Sequence, residues 1–144
     1  MSSQEEEKIS KQKNYKSFKQ NSLEKRKDIL TKQLNEHPTM VPVIVEWDKK
    51  SSNLIPLDRK KYLLERSYKF GQFMTIIKNK LKVKSTDSIV FLVSQNKIVS
   101  PEMTMGEIYE QYKDNEDGFL YIYYSEYSTF GCNRKQQKYV QEQN

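Results

Sequence analysis

The chain has 144 residues, of which 35% are hydrophobic and 31% charged, and a formal net charge of +6. This length suits one domain with tails. No run of about 18 apolar residues is present, so no membrane-spanning helix is predicted. The single cysteine, Cys132, excludes an internal disulfide and a thiolate metal cluster, and it fits a reducing compartment such as the cytoplasm.

The charge and the residue types also restrict the function. The net charge of +6 is moderate, and the sequence lacks the dense basic stripe of a dedicated nucleic-acid binder. A charge of this size could attract acidic peptides or anionic membranes, or it could simply keep the protein soluble. The only histidine, His37, lies in the loop sequence Asn-Glu-His-Pro. There are no paired carboxylates, no metal-ligand spacing and no nucleophile–base set, so neither an enzyme nor a bound cofactor is predicted.

The N-terminal part is predicted to be a tail followed by a helix. Residues 1–14 are polar with mixed charge, which predicts disorder. Leu23, Leu30 and Leu34 then form one apolar stripe, with a helix start at Ser22 and a stop at Pro38. The basic cluster at 25–27 is predicted on the polar side, either as a solvated face or as a docking patch.

Two strands are predicted next. Residues 41–47 are rich in β-branched and aromatic types, and Pro42 belongs at the strand start because it has no N–H to donate. Residues 59–65 form the second strand of a hairpin with a long loop. The cations at its start are typical of an exposed edge strand. They either discourage aggregation through that edge or attract the acidic residues of a partner strand that pairs with it.

The remaining elements alternate between helices and strands. Phe70, Phe73, Ile77 and Leu81 have helical spacing, Ile89–Val93 is an apolar strand, and Thr104 begins a capping box for a helix through Tyr112. Residues 119–125 are all apolar or aromatic except the last, Ser125. This composition predicts a strand that is buried on both faces.

This order predicts an α+β fold of the ubiquitin-like β-grasp type, with a four-stranded mixed sheet in the order ββαβαβ and added N-terminal helical structure. Its first and last strands are expected to run parallel at the centre of the sheet. A ferredoxin-like sandwich is the rival, but it requires a helix between the first two strands.

Beyond the last strand, Gly131 follows Phe130, and a polar segment of thirteen residues comes after it. Because glycine has no side chain, a chain that ends in glycine can enter a narrow enzyme channel with its carboxylate unobstructed. The ending is therefore read either as a reactive carboxyl end that must be uncovered or as a frayed tail that contains a glycine.

The chain resembles the autophagy ubiquitin-like modifiers, the family of the microtubule-associated light chain and the GABA-receptor-associated proteins, from about Phe18 to Gly131. Leu23-Glu24-Lys25-Arg26 is similar to the family's helical Phe-Glu-x-Arg. The other matching segments are residues 41–46, 58–63, 71–73, 105–109 and 117–121, and the ending Phe130-Gly131.

The resemblance implies a protein tag divided into residues 1–14, a ubiquitin-like domain at 15–131 and a removed propeptide at 132–144. A cysteine protease that reads Phe130 would cut between Gly131 and Cys132. Activating and conjugating enzymes would then transfer Gly131 to phosphatidylethanolamine. The implied protein is cytoplasmic and monomeric before conjugation, and it reaches autophagosomes and cytoplasmic vesicles through the lipid alone.

The resemblance also implies a site on the second strand for cargo receptors and autophagy factors that carry aromatic-x-x-aliphatic motifs. Arg59 and Lys61 would attract acidic residues that precede such motifs. The aromatic pocket would use Pro42, Ile44, Lys61, Leu63 and Phe119. The aliphatic pocket would use Tyr62, Leu64, Phe73 and Ile76.

Three positions depart from the family pattern: Met40, Glu65 and Val90. The first two lie where peptides would dock, so partner preference does not transfer. Two other functions stay open: a ubiquitin-like peptide-binding module that is never conjugated, and a small basic RNA-binding domain that stacks bases on Tyr121 and Tyr123.

Overall fold

The computed structural model describes residues 2–51, 53–83, 88–94 and 96–126. The described helices are α1 (Ser3–Lys13), a 3₁₀ helix (Phe18–Gln20), α2 (Leu23–Glu36), α3 (Phe70–Leu81) and α4 (Met105–Tyr112). The strands are β1 (Met40–Trp47), β2 (Lys61–Glu65), β3 (Ile89–Val93) and β4 (Leu120–Glu126). Over these ranges, none of the helices combines the length and the apolar character needed to cross a bilayer.

The four strands form one mixed sheet in the order β2-β1-β4-β3. β1 runs parallel to β4, with Val43 opposite Leu120, and the two outer pairs are antiparallel. The predicted β-grasp arrangement with central parallel strands is therefore confirmed. The ferredoxin-like alternative is excluded, because β1 and β2 are joined directly without a crossover helix.

Both faces of the central strands are covered. Val41, Val43 and Val45 of β1 pack in one cluster with the apolar faces of α3 and α4. Ile44 and Phe119 pack on the opposite face against Phe18 of the 3₁₀ helix, with Ile29 and Leu30 of α2 beside them. Burial of both faces explains why these strands are almost continuously apolar instead of alternating with polar residues.

The caps of α2 and α4 lie where their sequences indicate. The Ser22 hydroxyl accepts the Lys25 N–H at 3.2 Å, and the Thr104 hydroxyl accepts the Glu107 N–H at 3.2 Å. Each bond satisfies a backbone donor that the first turn of a helix leaves unpaired.

The predicted disorder of residues 1–14 was wrong for most of this segment, because Ser3–Lys13 forms α1. The Ser2 hydroxyl accepts the Glu5 N–H at 3.2 Å, and acidic residues in the first turn and lysines in the last complement the helix dipole. Gln12 also donates its side-chain N–H to the Leu54 carbonyl at 2.9 Å. Composition alone did not reveal this contact with a loop 42 positions away.

Candidate functional site

β2 forms one edge of the described sheet, since it pairs with β1 alone. Lys61 lies opposite Ile44, and Leu63 lies opposite Pro42. The alternate residues of the strand, Tyr62 and Leu64, lie opposite Val43 and Val41 respectively. Because side chains alternate along a strand, the residues predicted for the two pockets divide between opposite faces of this edge.

The set on the α2 face combines core and surface residues. Ile44 and Phe119 are fully buried, and Phe18 packs edge-on against Phe119 with ring centroids 5.1 Å apart. Leu63 is half-buried and Lys61 is exposed, so these two carry the accessible part of the set. Pro42, which is buried, completes the strand beneath them.

The set on the α3 face centres on Tyr62, which is only 8% exposed. Its ring packs edge-on against Phe73 at 5.5 Å between centroids. Leu64 is half-buried and packs against the cluster that contains this pair, while Phe73 is fully buried. Ile76, on α3, is also half-buried.

Two cations flank the Tyr62 ring. The Arg59 guanidinium lies 5.4 Å from the ring centroid, and the Lys80 ammonium lies 5.9 Å from it. Burial raises the pKa of the Tyr62 hydroxyl, and nearby Arg59 offsets this only in part. The hydroxyl therefore keeps its proton at neutral pH, yet it has no hydrogen-bond partner among the described residues.

A cavity of about 230 Å³ adjoins Tyr62 on this face. Sequence reasoning identified Arg59 and Tyr62 as site residues, but it missed the rest of the lining. No local signal pointed to these residues, because they come from α1, from the loop before β2 and from the end of α3. The lining consists of Lys11, Ile55, Pro56, Leu57, Asp58, Arg59, Tyr62 and Lys80.

Arg26 does not lie on a solvated polar face, contrary to the reading of the 25–27 cluster. Its guanidinium is buried and binds the Asp117 carboxylate at 2.7 Å. Asp117 also accepts the Phe119 N–H at 2.9 Å and a hydrogen bond from the Tyr121 hydroxyl. Arg26 therefore joins α2 to the turn before β4. Its neighbours Lys25 and Lys27 are exposed, as predicted.

Phe130, Gly131 and Cys132 lie outside the described residues, so cleavage and conjugation stay predictions. The described chain ends at Glu126, whose carboxylate accepts the Asn53 N–H at 2.6 Å and the Asn53 side-chain N–H at 3.1 Å. The last described residue is thus held against the loop between β1 and β2.

Comparison with known proteins adds a family assignment to this geometry. The family model described as "Autophagy protein Atg8 ubiquitin like" matches residues 24–131. Human "Microtubule-associated protein 1 light chain 3 gamma" is 40% identical over 95 residues, which are 66% of this chain and 64% of that protein. "Autophagy-related protein 8d" of Arabidopsis thaliana is 39% identical over 116 residues, 80% of this chain and 94% of that protein.

The fold also matches a solved structure. The crystal structure of Trypanosoma brucei ATG8 superposes with a TM-score of 0.68 at 27% identity. The match covers 78% of this chain and 95% of that one. The shared region therefore accounts for nearly the whole of the trypanosome chain.

Proposed function

Because the chain belongs to the Atg8 family of autophagy ubiquitin-like proteins, we propose that it acts as a lipid-linked tag and peptide scaffold on autophagosomal membranes. In this proposal Gly131 becomes joined to phosphatidylethanolamine, and the β2 edge recruits cargo receptors and autophagy factors. The protein is the substrate of the conjugation chemistry and not its catalyst. Before conjugation it is a cytoplasmic monomer.

The observation that carries the conjugation proposal is the position of β4. This strand is central, paired with β1 on one side and β3 on the other, and it ends at Glu126, five positions before Gly131. A short arm on a firmly held strand suits presentation of a carboxyl end to processing enzymes. Two acyl chains attached there suffice to anchor a protein stably to a membrane.

The chemistry needs a free glycine carboxylate. A cysteine protease hydrolyses the bond between Gly131 and Cys132 and releases residues 132–144. An activating enzyme adenylates the new carboxylate with ATP, with loss of pyrophosphate, and its cysteine displaces AMP to form a thioester. The conjugating enzyme accepts the acyl group on its own cysteine. The lipid amine then displaces that thiolate, and an amide bond forms.

The peptide proposal rests on the spacing of the two anchor residues in the motif and on the two faces of β2. An aromatic residue and an aliphatic residue three positions later point to opposite sides of an extended strand, because side chains alternate with period two. The sets around Leu63 and around Leu64 also lie on opposite faces of the edge. A strand added to the free edge of β2 therefore presents one anchor to each set.

Mass spectrometry tests the conjugation proposal. We expect protein recovered from the membrane fraction of starved cells to lack Cys132–Asn144 and to carry one phosphatidylethanolamine on Gly131. A full-length, lipid-free polypeptide in that fraction would instead support the unconjugated peptide-binding module.

A further inference from the structure

The cavity beside Tyr62 lies at the end of the sheet where β4 ends. β2 is antiparallel to β1, and β1 is parallel to β4, so the start of β2 and the end of β4 lie at the same end. The cavity loop is also tied to β4. The Tyr124 hydroxyl accepts the Leu57 N–H at 3.0 Å and donates to the Ile55 carbonyl at 2.8 Å.

The cavity carries an excess of positive charge. Asp58 is the acidic residue in its lining, and it pairs with Lys11 at 3.4 Å. Lys11 in turn also contacts Glu7 at 3.3 Å. Arg59 and Lys80 take part in none of the ion pairs formed between described residues. Within the described part of the chain, these two cations of the lining therefore have no acidic partner.

Tyr62 supplies a neutral donor at the same place. Its side chain is more than nine-tenths buried and lines the cavity, and its hydroxyl has no partner within the described part of the chain. Buried hydroxyl groups normally form hydrogen bonds. An oxyanion in the cavity would accept from this hydroxyl and also be attracted by Arg59 and Lys80.

We propose that this cavity binds the phosphate of an anionic phospholipid headgroup. The choice of a lipid rests on the conjugation proposed above: Gly131 lies five positions after Glu126, and five steps along an extended chain span at most about 18 Å. A bilayer anchored at Gly131 therefore lies close to this end of the sheet. The anchor keeps headgroup phosphates at a high effective concentration around the cavity.

The cavity shares Arg59 and Tyr62 with the predicted peptide site, and the rest of its lining comes from α1, the loop before β2 and the end of α3. A peptide strand added to the edge takes its hydrogen bonds from the β2 backbone. Headgroup binding therefore competes with a peptide only for the side chains of these two shared residues.

The test uses the full, unconjugated chain in sedimentation with phosphatidylcholine vesicles, with and without phosphatidic acid. Lys80→Gln is compared with Lys78→Gln, which removes the same charge from the same last turn of α3 at a position outside the cavity lining. We expect Lys80→Gln to reduce binding to the phosphatidic acid vesicles about fivefold more than Lys78→Gln, the effect of one lysine near an anionic surface.

Tyr62→Phe keeps the ring and removes the hydroxyl, and we expect it to weaken the same binding. Equal losses for Lys78→Gln and Lys80→Gln would overturn the proposal in favour of diffuse charge attraction. Binding of inorganic phosphate or of a phosphoserine peptide that depends on Lys80, without any Lys80-dependent vesicle binding, would overturn the lipid assignment. None of these outcomes involves cleavage at Gly131, so failure here is distinct from failure of conjugation.

Discussion

Arg26 and Asp117 show how much of this fold depends on single residues. Both are buried, and their side chains form a 2.7 Å ion pair that Tyr121 and the Phe119 N–H extend. Burial works to lower the pKa of Arg26, but its hydrogen bond with Asp117 outweighs this and leaves the pKa raised. The charge on Arg26 is therefore supported mainly by Asp117.

Removal of one partner is expected to cost far more than loss of an exposed pair. Asp117→Ala leaves Arg26 as an uncompensated buried charge, so we expect the free energy of unfolding to fall by about 3–5 kcal/mol. Urea denaturation measures this loss. The control is Glu110→Ala, which breaks the exposed Arg66–Glu110 pair and should leave stability nearly unchanged. Similar losses for both variants would contradict the structural role of Asp117.

Among the elements, α1 and the segment after it differ in how firmly they are attached. α1 has no buried residue, whereas Tyr15 packs edge-on against Trp47 at 5.3 Å between centroids. The Tyr15 hydroxyl donates to the Glu46 carboxylate and accepts the Trp47 N–H, and Lys60 lies 3.9 Å from the ring centroid. Tyr15 thus joins the segment after α1 to β1 through ring packing and hydrogen bonds.

Tyr15→Ala is expected to lower the free energy of unfolding by about 3 kcal/mol, through lost ring packing and the lost hydrogen bond to Glu46. Deletion of residues 2–10 is expected to have little effect on thermal stability, because it removes only exposed or partly exposed side chains. Thermal unfolding of the two variants measures the difference. A deletion as damaging as Tyr15→Ala would show that α1 itself supports the core.

The β2 edge carries a prediction for peptide binding. Lys61 is exposed and lies beside Leu63 on the α2 face. Lys61→Glu is expected to weaken an acidic aromatic-x-x-aliphatic peptide by about 1–3 kcal/mol, the range for charge-assisted hydrogen bonds. Calorimetric titration measures the change, with Lys32→Glu on exposed α2 surface as the charge-matched control. Unchanged affinity for Lys61→Glu would remove Lys61 from the site.

At the scale of the whole molecule, the sheet keeps its different surfaces apart. β3 and β2 form opposite edges of the described sheet, while β4 lies inside it and leads toward the predicted conjugation site. In the proposed function, peptide recruitment uses the β2 edge and attachment uses the C-terminal arm, so the two occupy different parts of the molecule. On this proposal a membrane-bound tag binds a peptide without releasing its anchor.

Gly131→Ala tests the connection between the arm and the membrane. We expect this variant to stay full length and in the soluble fraction, because a methyl group next to the reacting carbonyl obstructs the narrow channels of the processing enzymes. Immunoblotting of soluble and membrane fractions measures this, with Ser128→Ala as the control in the same arm. Normal lipidation of Gly131→Ala would refute the attachment site.

The sequence by itself determined the elements whose signals are local. The spacing of Phe70, Phe73, Ile77 and Leu81 indicated α3, and the apolar run before Glu126 indicated a central strand. Caps at Ser22 and Thr104 indicated two helix starts. These signals are readable because each depends on residues within one or two turns of a helix, or on neighbours in one strand.

Only the tertiary structure decided which polar residues meet. Arg26 and Asp117 are 91 positions apart, and Gln12 reaches a carbonyl 42 positions away. The cavity beside Tyr62 likewise takes its lining from α1, the loop before β2, β2 itself and the end of α3. The free energy of a buried charge or an unpaired hydroxyl depends on neighbours that chain folding brings together, and no local pattern of residues records them.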